Sequence, residues 1–241
     1  MKSIVITGNQ GGIGKVLQRH LNDCGYKVIG IDVANESDEN DIKFDLNNLH
    51  SQNSYDQLKD LLNQKIADSC CVALINNAAV QILGKFENLD INDFKKTMSI
   101  NLEAPLMLSQ LLLPELMASN GNIINIGSIH ATLTKPGFVS YSTSKAALLG
   151  LTKSMAVEIG NKVKINMISP AAINTEMLVD GFKNNKEKLL ELDRYHPASK
   201  IGHPKDIAKL VEHIIKSDIN FLNGSNITLD GGISSRLHDP L

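Results

Sequence analysis

The sequence predicts an α/β fold in which helices cover both faces of a doubly wound parallel sheet, three layers in all, with about seven strands. The first observation is that apolar runs alternate with amphipathic stretches from one end of the chain to the other. The second is that these runs are apolar throughout, whereas a strand with one solvated face would alternate apolar and polar residues. Together they are typical of a Rossmann-type architecture.

The predicted elements follow in order along the chain. The strands are short and aliphatic: SIVIT (3–7), KVIGID (27–32), IKFDL (42–46), CVALIN (71–76), NIINIGS (122–128), KINMIS (164–169) and NITLDGG (226–232). The helices have apolar residues three and four positions apart, as Leu58, Leu61, Leu62 and Ile66 do. They are predicted over residues 12–24, 54–67, 90–117, 140–160 and 204–216.

One domain is predicted over residues 1–241, because no linker rich in Pro, Gly or Ser divides the chain. Residues 176–203 break the pattern, since they are polar and lie between a strand and a helix. A long insertion of this kind is either a lid over a binding site or a solvated surface excursion. Both interpretations remain open.

Charge and composition exclude several classes of partner. The formal net charge is −2 and no basic run occurs, so we expect neither nucleic acid nor an anionic membrane as a partner. No stretch approaches the ~20 apolar residues of a membrane span. The three cysteines include no C-x-x-C pair, which favours buried thiols in a reducing, cytoplasmic setting and predicts no metal site.

The stretch TGNQGGIG (7–14) follows the first predicted strand and opens the first helix. Gly8, Gly12 and Gly14 lack a Cβ and so permit close approach of the backbone to a ligand. A helix N-terminus adds unpaired N–H groups and a positive dipole end, which suit a phosphate. By itself this stretch indicates either a phosphate cradle or a loose turn.

Asp32 ends the second predicted strand, 18 residues beyond Gly14. A carboxylate at this place can accept hydrogen bonds from both hydroxyls of an adenosine ribose, and it repels a 2′-phosphate. Asn9, Gln10 and Val33 are not basic, although an NADP site usually needs a cation. The pattern therefore favours NAD over NADP.

Tyr141 and Lys145 lie four residues apart on a predicted helix and so share a face. A nearby cation lowers the pKa of a tyrosine, which could then exchange a proton with a carbonyl or alcohol oxygen. Ser128 ends the fifth predicted strand, at the same edge of the sheet as the glycine stretch. Its hydroxyl could hydrogen-bond the same oxygen.

With these motifs the whole chain resembles the short-chain dehydrogenase/reductase family, in its single-domain form. The motifs that carry the resemblance are T-G-x-x-x-G-I-G at 7–14, Asp32, Asp45-Leu46, N-N-A at 76–78, Asn101, Ser128, Tyr141 with Lys145, P-x-x-x-x-T at 170–175 and D-G-G at 230–232. The resemblance implies hydride transfer between a nicotinamide cofactor and an alcohol or ketone. It also implies a homodimer or homotetramer.

The resemblance also implies a role for each matching residue. Tyr141 would be the acid/base, Lys145 would lower its pKa and bind the nicotinamide ribose, and Ser128 would orient the substrate oxygen. Asn101 would hold a water that links Lys145 to solvent. Cofactor contacts are expected from Gly8, Asn9, Gln10, Gly12, Ile13, Gly14, Asp32, Asp45, Leu46, Asn77, Ala78, Tyr141, Lys145, Pro170, Ile173 and Thr175.

The substrate is the least determined part of the prediction. His130, Gln81 and Met177 are the candidate contacts, and polar residues near the site favour a sugar, a polyol or a hydroxy acid. One alternative is an NADP-dependent carbonyl reductase of the 3-oxoacyl type. An alternative from another class is a non-catalytic, NAD-binding regulatory protein on the same fold.

Overall fold

A computed structural model describes residues 1–34, 38–182, 185–217 and 219–237, without the side chains of Met177 and Lys186. Its strands are β1 (Lys2–Thr7), β2 (Lys27–Asp32), β3 (Ile42–Lys43), β4 (Cys70–Asn76), β5 (Asn122–Ile126), β6 (Lys164–Pro170) and β7 (Asn226–Leu229). They form one sheet in the order β3-β2-β1-β4-β5-β6-β7, and each neighbouring pair is parallel. The predicted doubly wound parallel sheet is confirmed.

Helices cover both faces of this sheet. They are α1 (Gly12–Asp23), α2 (Gln52–Ile66), α3 (Ile91–Met98), α4 (Ala104–Leu111), α5 (Leu113–Ala118), α6 (Val139–Ile159), α7 (Glu176–Gly181), α8 (Lys186–Tyr195) and α9 (Pro204–Lys216). Side chains of α1 and α9 form one buried cluster with the sheet, and side chains of α2, α4 and α5 form the other. The molecule therefore has the three predicted layers.

Successive residues of a strand point to opposite faces of a sheet, and strand β1 shows why its sequence is apolar throughout. Val5 belongs to the cluster with α2, whereas Ile4 and Ile6 belong to the cluster with α1 and α9. All three side chains are fully buried. Each of these buried side chains stabilises the fold by about 1.5–3 kcal/mol.

Three predicted strands are longer than the structure shows. β3 ends at Lys43, after which the Asp45 carboxylate caps a 3₁₀ turn by accepting from Asn47 N at 2.9 Å. β5 ends at Ile126, and β7 ends at Leu229 because Asp230 accepts from Gly232 N and turns the chain. After β3 and β7 an aspartate side chain accepts a backbone N–H and the chain turns away from the sheet.

The segment 90–117, predicted to be helical, is helical in the structure but is not one continuous α-helix. It consists of α3, a π-helical turn over Ser99–Glu103, and then α4 and α5. Pro105 and Pro114 each lie in the first turn of a new helix. Proline has no N–H and its ring clashes with the carbonyl four residues earlier, so it is tolerated only at a helix start.

Residues 176–203, whose helical spacing is weak in the sequence, contain α7 and α8. The segment is tied at its end, where Gly202 N donates to Ala172 O at 2.9 Å and Asn174 N donates to Gly202 O at 2.9 Å. In the part of the chain that the structure describes, no helix has both the length and the apolar character to cross a membrane.

Candidate active site

The candidate site lies at the carboxyl edge of the sheet, where ligands bind in doubly wound folds. The strand order changes direction between β1 and β4, and the glycine stretch and Asn77 follow these two strands. Thr7 Oγ1 accepts from Asn77 N and from Ala78 N, each at 3.0 Å. The two loops that flank the switch point are therefore bonded to each other.

The glycine stretch is shaped so that side chains do not fit. Gly8 has a φ of +69°, in the left-handed region that favours glycine. A Cβ at Gly14 would lie 1.9 Å from Gly8 O, and one at Gly12 would lie 2.8 Å from the Cβ of Thr175. Only glycine fits at either position.

The first turn of α1 presents backbone donors to this loop. Gly11 precedes the helix and supplies no side-chain cap. Helix geometry leaves the N–H groups of Gly12, Ile13 and Gly14 without intrahelical partners. With the helix dipole they form a cradle for an anion, so the residues present fit the pyrophosphate of a dinucleotide.

A buried network supports the loop from inside the protein. Asn9 is fully buried and its Nδ2 donates to Gln18 Oε1 and to Asp41 Oδ1, both at 2.9 Å. Gln18 Nε2 donates to the same Asp41 oxygen at 3.0 Å, and Gln10 Nε2 donates to Asp41 Oδ2 at 3.0 Å. The Asn9 side chain thus holds the loop rather than facing a ligand.

Sequence reasoning missed Gln18 and Asp41. The one available signal was that both are polar residues beside hydrophobic elements, and this does not identify a partner.

The Asp32 carboxylate lies at the end of β2, partly buried, beside the glycine loop. Its Oδ2 accepts from Gln10 N and its Oδ1 accepts from Ala34 N, each at 2.9 Å. Each oxygen keeps a lone pair for a further donor. Lys43 is the register partner of Asp32 on β3, a neighbouring cation that sequence reasoning did not consider.

The structure brings Ser128, Tyr141 and Lys145 together. Ser128 follows β5, and Tyr141 lies in the first turn of α6, one helical turn before Lys145. Lys145 is 2% exposed, and its ammonium donates to Ile126 O at 2.8 Å and lies 5.7 Å from the centroid of the Tyr141 ring.

The pKa values of the tyrosine and the lysine are set mainly by burial. Burial lowers the pKa of Lys145 from 10.5 to about 8, because a charged amine is poorly solvated there. Burial raises the pKa of Tyr141, and a hydrogen bond with Ser128 acts in the opposite direction. The pKa of Tyr141 therefore lies above its ordinary value, contrary to the lowering expected from the nearby Lys145.

Asn101 lies within the π-helical turn, buried beside α6. Its Oδ1 accepts from Val80 N at 2.8 Å, and its Nδ2 donates to Val80 O at 2.9 Å and to Ser144 Oγ at 3.0 Å. These bonds link the loop after β4 to the helix that carries Tyr141. A π turn leaves backbone carbonyls out of the regular helical pattern and is frequent at functional sites.

An aromatic stack lies against the tyrosine. The rings of His130 and Phe138 are parallel within 3°, with centroids 4.4 Å apart, and His130 meets Tyr141 edge-on at 5.8 Å. Burial and the charge of Lys135 lower the pKa of His130, so it is a neutral hydrogen-bonding group at neutral pH. The predicted contact His130 is therefore beside the candidate acid/base.

The other two predicted substrate contacts are less well placed. Gln81 is exposed in the loop after β4, and the side chain of Met177 lies outside the described part of the structure. A cleft of about 540 Å³ is lined by Asn174, Thr175, Glu176, Val179 and Asp180. Through Thr175 this cleft borders the glycine stretch.

A family model and curated relatives match most of the chain. Residues 7–234 match the family model described as enoyl-(acyl carrier protein) reductase. An uncharacterised oxidoreductase of Schizosaccharomyces pombe is 30% identical over 95% of this chain and 90% of its own length. The 3-oxoacyl-acyl-carrier-protein reductase of Rickettsia bellii is also 30% identical, over 96% of each chain.

Solved structures are similar over nearly the whole chain. Ligand-free aldohexose dehydrogenase of Thermoplasma acidophilum has a TM-score of 0.91 at 25% identity, covering 100% of this chain and 96% of its own. For 4-hydroxyisoleucine dehydrogenase complexed with NADH the TM-score is 0.88 at 29% identity, and the match covers 98% of this chain and 100% of the other. ElxO with NADP bound has a TM-score of 0.87 at 26% identity, and the match covers 98% of this chain and 99% of the other. The chain therefore belongs to the short-chain dehydrogenase/reductase family, oxidoreductases that use a nicotinamide cofactor on alcohol and carbonyl groups.

Proposed function

We propose that this protein is an NAD-dependent oxidoreductase that interconverts a small polar alcohol, such as a sugar, a polyol or a hydroxy acid, with its carbonyl form. The observation that carries the proposal is the meeting of Ser128, Tyr141 and buried Lys145 at the sheet edge that also carries the glycine cradle. When bound, the nicotinamide cofactor supplies or accepts the hydride.

The residues around the cradle would hold the two halves of the cofactor. The backbone at Gly12, Ile13 and Gly14 would bind the pyrophosphate, with Gly8, Asn9 and Gln10 forming the turn before it. Asp32 would bind the adenosine ribose. The remaining proposed contacts are Asp45 and Leu46 at the adenine, Asn77 and Ala78 at a ribose, and Pro170, Ile173 and Thr175 at the nicotinamide end.

Tyr141 would donate a proton to the substrate carbonyl oxygen in reduction and accept it in oxidation. Ser128 would hydrogen-bond the same oxygen and hold it beside the phenol. When the phenol ionises, the ammonium of Lys145, which lies 5.7 Å from the centroid of the ring, would stabilise the phenolate by coulombic attraction. Lys145 would also bind the nicotinamide ribose, and Asn101 would position a water that links Lys145 to solvent.

The Tyr141→Phe variant tests this mechanism, with Tyr55→Phe on α2 as the matched control. Loss of general acid/base catalysis typically costs about 10²–10⁴-fold in rate. We expect kcat of Tyr141→Phe to fall by at least about 100-fold while NAD binding by calorimetry stays within a factor of about two, with Tyr55→Phe unchanged in both. Normal turnover in Tyr141→Phe would refute the mechanism, and absence of turnover in the wild type would favour the non-catalytic, NAD-binding alternative.

The preference for NAD rests on Asp32, because a carboxylate repels a 2′-phosphate. The alternative, an NADP-dependent carbonyl reductase of the 3-oxoacyl type, is supported by the similarity to the Rickettsia bellii enzyme and by the position of Lys43. A ligand that binds only the folded state raises thermal stability in proportion to RT ln(1 + [L]/Kd). We expect NAD to raise Tm more than NADP at equal concentration.

The Asp32→Asn variant should lose most of the preference for NAD over NADP. Asp90→Asn should keep it, and it is a matched control because Asp90, like Asp32, accepts a hydrogen bond from the backbone N–H two residues later. Stronger stabilisation of the wild type by NADP than by NAD would reverse the assignment.

The preference for a small polar substrate is supported by the neutral His130 beside Tyr141 and by Gln81. Met177 and the rest of segment 176–203 would form a lid, since Glu176, Val179 and Asp180 of α7 line the cleft. A screen of sugars, polyols, hydroxy acids and 3-oxoacyl thioesters with NADH and NADPH tests this proposal. Turnover of only the thioesters would contradict it.

A homodimer or homotetramer is supported by apolar side chains left exposed on α4 and α6, with Leu106 at 36% and Val157 at 88%. Light scattering of the purified protein measures this oligomeric state.

The free thiols of all three cysteines support a cytoplasmic location. The chain as a whole is proposed to form a single domain.

A further inference from the structure

A cluster of His20, Cys24 and Glu212 lies far from the candidate active site. His20 and Cys24 are four residues apart at the end of α1, and Glu212 faces them from α9. One ligand atom from each side chain lies within 4.8 Å of the other two. Nε2 of His20 is 2.6 Å from Oε2 of Glu212. In the ranges that the structure describes, no other set of three or more His, Cys, Asp and Glu side chains is gathered in this way.

The donor atoms match the preferences of zinc. Zn²⁺ binds thiolate sulfur at about 2.3 Å, imidazole nitrogen at about 2.0–2.1 Å and carboxylate oxygen at about 2.0–2.2 Å, in tetrahedral geometry. These bond lengths place neighbouring ligand atoms about 3.3–3.7 Å apart. The separations of the ligand atoms in the cluster run from 2.6 Å, between His20 and Glu212, to no more than 4.8 Å, and the spacing around zinc lies within this range. Calcium and magnesium prefer oxygen ligands alone, so the thiol and imidazole select against them.

The surroundings of the cluster hold the Glu212 carboxylate in place, although the charge of Lys216 opposes a nearby cation. Lys216 donates to Oε1 of Glu212 at 2.6 Å, which leaves Oε2 as the ligand atom. Such outer hydrogen bonds orient ligating carboxylates in metal sites. The side chains of His20 and Glu212 are 20% and 23% exposed, so an ion can enter from solvent and a water can complete the tetrahedron.

We propose that His20, Cys24 and Glu212 form a zinc-binding site that joins the end of α1 to α9. On binding, the Cys24 thiol releases its proton and the zinc takes the place of the proton between His20 and Glu212. Thiolate and carboxylate together then balance the two charges of the ion. No oxidation or reduction is involved, and the fourth ligand is water.

The site would act on stability and not on turnover. Its ligands His20 and Cys24 lie about 12 and 18 Å along the helix axis from Gly12, at ~1.5 Å per residue. The sequence predicted no metal site because spacing shows only the pair His20 and Cys24. The third ligand is 192 residues from His20 and is brought in by the packing of α1 against α9.

Titration of the purified protein with Co²⁺ and then Zn²⁺ tests the proposal. Co²⁺ bound to a thiolate gives a charge-transfer band in the near ultraviolet, which reports Cys24 directly. We expect one Co²⁺ per chain with this band, its displacement by Zn²⁺, and a rise in Tm with Zn²⁺. The variants Cys24→Ser and Glu212→Gln should lose the band or bind more than about tenfold more weakly, since even outer-sphere changes cost this much.

Cys70→Ser is the matched control, because Cys70 is an exposed free thiol elsewhere on the chain and its removal should change nothing. Oxidoreductase activity without zinc should be the same in Cys24→Ser as in the wild type. The proposal is overturned if the charge-transfer band persists in Cys24→Ser, or if Zn²⁺ raises the Tm of Cys24→Ser as much as that of the wild type.

Discussion

Replacement of Lys145 by methionine should stabilise the protein at neutral pH while it removes activity. Lys145 is 2% exposed and burial lowers its pKa from 10.5 to about 8. At about 1.4 kcal/mol per pH unit, keeping the proton on the buried amine costs the folded state about 3 kcal/mol at pH 7. Methionine has a similar length and no charge, but it loses the bond to Ile126 O, worth about 1 kcal/mol. The expected net gain is about 2 kcal/mol.

The sign of the pH dependence follows from the lowered pKa. Below pH 8 the folded and unfolded chains both carry the proton, so the wild type bears the full cost. Between pH 8 and 10.5 the folded protein releases the proton while the unfolded chain retains it, and the wild type gains stability relative to the variant. The difference between the two proteins should therefore shrink by about 2 kcal/mol between pH 7 and pH 9.5.

Urea denaturation followed by far-ultraviolet circular dichroism measures these free energies, since the chain has no tryptophan. Lys153→Met is the matched control, because Lys153 is exposed on the same helix and its replacement should give a difference that does not change with pH. A Lys145→Met difference that stays constant from pH 7 to pH 9.5 would refute the account of a buried charged lysine.

Two further predictions concern the glycine loop and share the same denaturation assay. Asp41→Ala removes an acceptor from the buried amides of Asn9 and Gln18 and should cost about 2–6 kcal/mol and weaken NAD binding. Gln10→Ala removes a partly buried donor to the same carboxylate and should cost less, about 0.5–1.5 kcal/mol. Equal losses in the two variants would contradict this. Gly14→Ala should cost about 3 kcal/mol or more because its Cβ would meet Gly8 O at 1.9 Å, whereas Gly150→Ala, in open space on α6, should stabilise by about 0.5–1 kcal/mol.

The sheet was predictable because its signal is local. A strand buried on both faces must be apolar at every position, and this can be read without knowing its neighbours. The ends of the strands were less predictable, since β3 stops where the Asp45 side chain captures a backbone N–H. The break of the predicted helix 90–117 was available in Pro105 and Pro114, but the π turn between Ser99 and Glu103 depends on packing against α6.

The candidate site was predictable where function constrains the backbone and not where it depends on partners distant in sequence. The glycines and the Tyr141–Lys145 pair are each ambiguous by themselves, and they were recognised because they occur together with Asp32 and Ser128 in one order along the chain. The role of Asn9 was missed because its partner Asp41 is 32 residues away, and two amides and a carboxylate show no pattern in the sequence. The direction of the Tyr141 pKa was missed because burial, which spacing does not reveal, outweighs the effect of a nearby cation.

The carboxyl edge of the sheet, where the chemistry is proposed, contains features that lower the stability of the fold. If Lys145→Met raises the stability of the fold, then stability does not explain why a lysine occupies this buried position. The same edge holds Asn101 in an irregular π turn and a glycine loop that needs a buried carboxylate to support it. The contact between α1 and α9 is formed instead by aliphatic side chains such as Leu17, Leu21 and Val211. If the buried charge at Lys145 is retained for catalysis, then Lys145→Met must lose turnover under the same conditions in which it gains stability. A variant that gained stability and kept its activity would remove the reason for placing this residue in the mechanism.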